Sequence, residues 1–415
     1  EKFERELRPD NKALAKVYPE LAKLESATEK KVKVLEEKIP APPQIRALWD
    51  RGEPSPAYIF RRGEITNPGR LVGPGVPSVL TDGRTPLEVK PPWPGSKKTG
   101  RRLALARWLV DPRHPLTARV MVNRIWRYHF GRGIVSSLGD FGATGTPPTH
   151  PELLDYLATE FAGRGWSIKQ MHRLMLNSTA YKQASQLTET LERVDPENKL
   201  VSRMPLARME AEVVRDSMLL VAGRLYEKPF GKPDPVEVRD DGLVTSEELP
   251  QGWRRSIYVL HRRKEMPTIL ETFDRPQMMP NCIARPNSTV ASQALHLMNN
   301  AMVRKLAAAF ARRLRDEAGD DLRDQIVHAY RVALSRDPSE EELAASYATV
   351  QQLMHAWQAE LAAASGDEPS PDSPGTAVKG ERERPAAQQD AQARQHALAT
   401  FCHALLNSAG FLYID

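Results

Sequence analysis

The chain has 415 residues, 40% of them hydrophobic, and 59 Lys and Arg against 53 Asp and Glu give a formal net charge of +6. That apolar content suffices for a buried core and the length permits two or three domains, while so modest an excess favours acidic partners only as a broad class. Its two cysteines, Cys282 and Cys402, belong to no C-x-x-C pair, which excludes a disulfide framework, a zinc knuckle and a covalent c-type haem motif and leaves one bridge or none.

No apolar run is long enough to span a bilayer, and no signal-peptide pattern is present. The chain opens at Glu1 within a charged helical pattern, so the expectation is a piece of a longer protein whose targeting segment lies upstream. Residues 1–39 are rich in Lys, Glu, Ala and Leu. Thr28, Val32, Leu35 and Ile39 fall at coiled-coil-like spacing, which predicts a solvated helical stem. From 40 to 100, prolines and glycines punctuate short apolar runs such as Ala57-Tyr-Ile-Phe60 and Pro77-Ser-Val-Leu80. This predicts an extended connector with a hairpin, ordered by its turns at Asn67-Pro-Gly69 and Asp82-Gly83.

Between Lys97 and Arg132, ten Lys or Arg face a single acid, Asp111, with four aromatics among them. A helix over 116–130 places Ala118, Met121, Val122, Ile125, Trp126 and His129 on one apolar face. Arg119, Asn123 and Arg127 fall on the other face with Arg124 beside them, as a guanidinium row able to hold phosphate, sulfate or carboxylate through forked hydrogen bonds. The competing reading pairs these arginines with acids elsewhere in the fold. His129 on the apolar stripe reads as a hydrogen-bonded core histidine rather than a metal ligand.

Two further helix entries follow, at Thr149-His-Pro-Glu152 and Ser167-Ile-Lys-Gln170. The first is a capping box or a His150 cap with Pro151 in the first turn. Asp140, His150, Glu152 and Asp155 form the best catalytic constellation, since carboxylates and a histidine can bind a metal or move protons, although capping already explains His150 and Glu152. Asp140-Phe-Gly142 matches the kinase magnesium motif in letters only, because the glycine-rich loop, strand lysine and H-R-D loop are absent. A helix over 206–223 carries Arg208, Glu212, Arg215 and Asp216 at spacings that predict ion pairs within the helix. Gly252 to Leu260 suits a strand, and Arg254 and Arg255 with Arg262, Arg263 and Lys264 make a second basic cluster that extends the first surface or neutralises acids.

One capped helix is expected over 288–314, with Ala294, Leu297, Met298 and Ala301 inward, and two more over 322–334 and 339–361. Residues 364–395 lose nearly all large apolar side chains and predict a disordered insert. A final helix over 396–406 and the tail to 415 are then expected to dock on the body spanning 101–363.

Several motifs recur in order: Pro115-Leu-Thr-Ala-Arg-Val120, Val122-Asn-Arg-Ile-Trp126, Gly139-Asp-Phe-Gly142, His150-Pro-Glu-Leu-Leu154 and Gly165-Trp-Ser167. Later come Arg254-Arg-Ser-Ile-Tyr258, Phe273-Asp274, Arg285, Asn287-Ser-Thr289, Gln293-Ala-Leu295 and Leu406-Asn-Ser408. In this succession the chain resembles the planctomycete-rich DUF1553 family, a domain of unknown function. The resemblance implies architecture more than chemistry. It suggests the C-terminal part of a large exported, extracytoplasmic protein, with a DUF1549 domain and often a cytochrome-c-like haem module upstream.

The fold expected is mainly α, a multi-helical single body with a Pro/Gly-rich connector and a few short strands. The function expected is a helical module presenting Arg119, Asn123, Arg124, Arg127, Arg254 and Arg255 to an acidic partner, either an anionic polysaccharide or the upstream domain of the same polypeptide. No cofactor or metal is expected in this stretch, any haem lying upstream. The alternatives are a metal- or carboxylate-dependent hydrolase or lyase acting on anionic glycan, and a nucleic-acid-binding protein. The last needs exposed stacking aromatics beside the arginines, and only Tyr128 and Trp253 are candidates.

Overall fold

The computed structural model describes residues 17–39, 54–84, 86–262, 264–276, 282–365 and 386–414. The rest of the expected stem and connector, Arg263 of the second basic cluster, most of the expected insert and Asp415 lie outside the described residues. The described residues are mainly α-helical, with short antiparallel strand pairs. The chain divides into two compact units, 1–108 and 109–415, so the helical body begins near the end of the helix Arg101–Leu109.

In the first unit, α1 (Pro19–Lys38) buries no residue. Val32 and Leu35 stay largely exposed. The connector supplies a hairpin of β1 (Ala57–Phe60) and β2 (Pro68–Val72), with a register irregularity between Tyr58 and Phe60. Ser78–Leu80 forms one 3₁₀ turn instead of an extended run. The helix Arg101–Leu109, α2, leads out of this unit.

The second unit contains two apolar clusters. The first joins α3 (Thr117–Phe130), α4 (Pro151–Gly163) and α5 (Ile168–Leu176) through Val122, Ile125, Trp126, Leu157, Phe161, Met171 and Met175. Each such fully buried side chain contributes roughly 1.5–3 kcal/mol of transfer free energy. α3 stops at Gly131, whose φ of 71° is the left-handed geometry that favours glycine. α4 starts with His150 at the N-cap and Pro151 in the first turn, and no side chain caps it. The Ser167 hydroxyl accepts from the Gln170 N–H to start α5.

After the short helix α6 (Glu189–Val194), the strand β3 (Ala207–Arg208) leads into α7 (Ala211–Val221), so Arg208 precedes the helix predicted to carry it. A small hairpin of β4 (Val236–Val238) and β5 (Val244–Ser246) follows. The strand expected over 252–260 is instead a 3₁₀ turn at Ser256–Tyr258 flanked by isolated bridges, because side chains hold this stretch: the Asp216 carboxylate accepts from the Ser256 N–H at 2.8 Å. α8 (Thr268–Thr272) then packs on α7.

The long helix expected over 288–314 is two helices, α9 (Ala291–Asn299) and α10 (Ala301–Ala318). Asn300 breaks it, since its side chain accepts from the N–H groups of Met302 and Val303 and caps α10. The break rotates the inward face. Leu297 is buried, whereas Ala294, Met298 and Ala301 are exposed.

α10 forms the centre of the second cluster, with Val303, Leu306, Phe310 and Leu314 on one stripe against α11 (Leu322–Leu334) and α13 (Ala386–Leu406). α12 (Glu340–Ser365) begins with a capping box, the Glu342 N–H donating to the Ser339 hydroxyl and the Ser339 N–H to the Glu342 carboxylate. α13 starts at Ala386, inside the stretch assigned to the insert, because Ala and Gln there favour a helix and Ala393 is fully buried. The tail docks as α14 (Ala409–Leu412) followed by β6 (Tyr413–Ile414), which pairs with β3 through Ala207 with Ile414 and Arg208 with Tyr413. Cys402 is buried and Cys282 exposed, and both are free thiols.

Candidate functional site

α3 presents its basic residues in three different states. Asn123 is wholly buried, not on the outer face: its amide donates to the Val135 carbonyl and accepts from the Val135 N–H, each at 2.9 Å. Arg119 pairs with Asp155 on α4 at 2.6 Å and also donates to the Pro115 carbonyl. This is the competing reading realised for one residue. Arg124 is exposed and has no side-chain partner among the described residues. Among the described residues Arg127 makes one long hydrogen bond, 3.4 Å, to the Arg285 carbonyl, and its guanidinium lies 5.8 Å from the ring centre of Tyr128. Arg124, Arg127 and Tyr128 stand at i, i+3 and i+4 and share one helix face, and Tyr128 is 71% exposed.

The second basic cluster separates in the same way. Arg254 is buried with Asp234, which accepts from Nε at 2.7 Å, and its other nitrogens donate to the Phe230 and Lys232 carbonyls. The Asp234 hydrogen bonds hold this guanidinium above its ordinary pKa. Arg255 points to solvent and reaches Asp216 only at 3.6 Å. Trp253 and Trp126 are both buried, which leaves Tyr128 as the exposed ring beside the α3 arginines.

The four candidate acid–base residues do not converge into a metal cage. Asp140 is engaged within its own loop by the Thr144 hydroxyl at 2.6 Å and the Gly142 N–H at 2.8 Å, which hold its carboxyl below the usual range. Asp155 is held low by the Arg119 hydrogen bond. His150 contacts the neighbouring Thr149 hydroxyl at 3.0 Å, and Glu152 is exposed in the first turn of α4. Among the described residues no three His, Cys, Asp or Glu are grouped to bind a metal ion.

A polar node that pattern reading missed lies at the start of α7. The Asp274 carboxylate accepts from Arg208 at 2.7 Å, from the Ser288 N–H at 2.7 Å and from the Ser288 hydroxyl. Burial raises its pKa, but the Ser288 and Arg208 contacts outweigh burial and hold it low. Asp274 has a φ of 61°, a strained geometry for a residue with a Cβ. Beside it Arg285 bridges Glu210 at 2.5 Å and Glu212 at 2.6 Å. The ion pairs expected within α7 therefore mostly reach out of the helix, and Arg215, 1% exposed, bonds Ser246, Ser256 and the Arg254 carbonyl. The signal was present as letters, Phe273-Asp274, Arg285 and Asn287-Ser-Thr289. Their partners, however, lie some 65 to 80 positions away in sequence, beyond any periodicity.

The family model described as a protein of unknown function (DUF1553) matches residues 101–350, well over half of the chain. The chain belongs to the DUF1553 family. No curated protein and no solved structure matches it. In this DUF1553 chain the matched span runs from α2 into α12 and contains α3, the Asp274 node and the Arg254–Asp234 pair. No helix among its described residues is long and apolar enough to cross a membrane.

The DUF1553 body also carries a histidine pair between α3 and α5, with His129 Nε2 at 2.7 Å from His172 Nδ1. Burial first, and then His172, lowers the His129 pKa. The bond needs one lone pair, so it does not survive protonation of both rings. In the unfolded chain the His129 ring titrates near pH ~6.5, so at this residue the unfolded state takes up a proton before the folded one does. Stability present above that pH is therefore expected to fall as pH drops from about 7 towards 5. His114 and His296, both lowered chiefly by burial, act in the same direction. Urea midpoints measured across this window should fall for the native chain and fall less for His129→Leu; equal slopes would remove the pair from the account.

Proposed function

We propose that this DUF1553 chain is a binding module of an exported, cytochrome-associated protein, and that the α3 face of Arg124, Arg127 and Tyr128 takes an acidic polysaccharide. The observation that carries the reading is the 71% exposed Tyr128 ring beside Arg127, on one face with an Arg124 that has no side-chain partner among the described residues. Guanidinium groups fork onto sulfate or carboxylate, and an exposed ring offers a flat apolar surface to a pyranose face. A polypeptide partner such as the upstream domain would use the same arginines, but it would leave the large exposure of Tyr128 less well explained. A single exposed ring gives a nucleic-acid strand no run of stacking platforms.

The test is titration of the chain with sulfated glycan, carboxylated glycan and single-stranded DNA at several salt concentrations. Binding to a charged glycan is expected to weaken with salt. Arg124→Ala/Arg127→Ala should lose about ten-fold or more in affinity, from two charge-assisted contacts of roughly 1 kcal/mol each. Tyr128→Ala should weaken it without changing the salt slope. Absence of glycan binding at low salt, or equal binding by the double variant, would defeat the reading.

A further inference from the structure

Outside the α3 face, the second unit holds a cleft of about 380 Å³ lined from four helices. Arg315 comes from the end of α10, Gln325 from α11, Met354 and Gln358 from α12, and Arg394 and Gln395 from α13, with Asp320 and Asp390 also in the lining. That volume lies at the small end of ligand sites in proteins.

Two polar atoms in this lining lack partners among the described residues. Gln325 is 1% exposed; its Nε2 donates to the Gly319 carbonyl at 2.5 Å, and its Oε1 accepts from no described residue. Gln395 Oε1 accepts from Arg315 at 3.3 Å, while its Nε2 donates to no described residue. A buried amide oxygen or N–H left unsatisfied costs about 1–3 kcal/mol, so one orphan acceptor and one orphan donor in the same cleft mark a place where a polar group is missing. Hydroxyls both donate and accept, so a molecule carrying several of them can answer both atoms.

The charge in the cleft narrows the choice. Arg315 and Arg394 are balanced by Asp320 and Asp390, with Gln358 donating to Asp390 at 2.9 Å and Arg394 to the Asp320 carbonyl. A lining of zero net charge gives an anion no advantage, and Met354 and Leu398 offer an apolar floor for C–H groups. We propose that this cleft binds a small, neutral, hydroxyl-rich molecule, with Gln325 Oε1 accepting from and Gln395 Nε2 donating to its hydroxyls after a small rotation of each side chain. The site is independent of the α3 face.

The test is saturation-transfer NMR on the whole chain with myo-inositol and D-glucose as neutral probes and D-glucuronate as the charged control. Transfer to a neutral probe is expected to exceed that to glucuronate. Gln395→Leu should weaken the affinity about five-fold, the share of one neutral hydrogen bond. Met354→Trp fills the cleft without removing a polar group and should abolish transfer, which keeps the test decisive should Gln395→Leu not fold. No transfer to either neutral probe, undiminished transfer in Met354→Trp, or a crystal structure with Gln395 Nε2 bonded directly to Gln325 Oε1 would overturn the proposal.

Discussion

Arg254→Met is expected to lower the free energy of unfolding by about 3–5 kcal/mol, the range for removing one partner of a buried ion pair. Arg254 and Asp234 are each 5% exposed, and the substitution leaves a carboxylate in the interior without its counter-charge. The Phe230 and Lys232 carbonyls lose their donor in the same step. Replacing both partners, Arg254→Met with Asp234→Leu, should recover part of the loss because no lone charge remains. The neighbouring Arg255→Ala is expected to change stability by less than about 0.5 kcal/mol, since its pairing among the described residues, with Asp216, is long and solvated. Urea denaturation of the four proteins decides the matter. A single-variant loss as small as that of Arg255→Ala would mean that the Arg254–Asp234 pair carries little of the fold.

The second large effect is expected at Asn123. Asn123→Leu keeps the branched outline of the side chain but strands the N–H and carbonyl of Val135, at about 1–3 kcal/mol for each group, so a loss of about 2–6 kcal/mol is expected. A variant within about 1 kcal/mol of the native chain in the same measurement would show that Val135 finds other partners. The distinction matters for function. Any loss of glycan binding in Asn123→Leu would follow from damage to the α3–Val135 junction, whereas Arg124→Ala tests the surface itself.

How much of this was legible in the sequence depends on whether a residue's partner is local. The helix over 116–130 and the Ser167 and Ser339 starts each follow from spacings of three or four, and each is found. The family was legible too, from motifs in order. Asn123 escaped because helical periodicity assigns one buried face, and α3 is also covered on the side where the chain returns at Ile134 and Val135. Arg254 and Arg255 are adjacent letters with opposite fates, set by an Asp234 twenty positions earlier. The break at Asn300 was readable in principle as a capping residue, but the uninterrupted apolar pattern around it favoured one long helix. Asp274 could not be placed, since neither its positive φ nor its partner Arg208 leaves a periodic trace.

The pairing of β6 with β3 joins positions 414 and 207, half the chain apart. Contacts of such separation are costly to form early, because the entropy of closing the loop is lost before the contact is gained. The ribosome must also deliver Ile414 before Ala207 has its strand partner. Until then Arg208, already beside Asp274 in the finished fold, sits on an open edge. This clasp should form late in folding. Shortening it should therefore speed unfolding more than it slows refolding, so the tail governs how long the fold lasts rather than how fast it is reached.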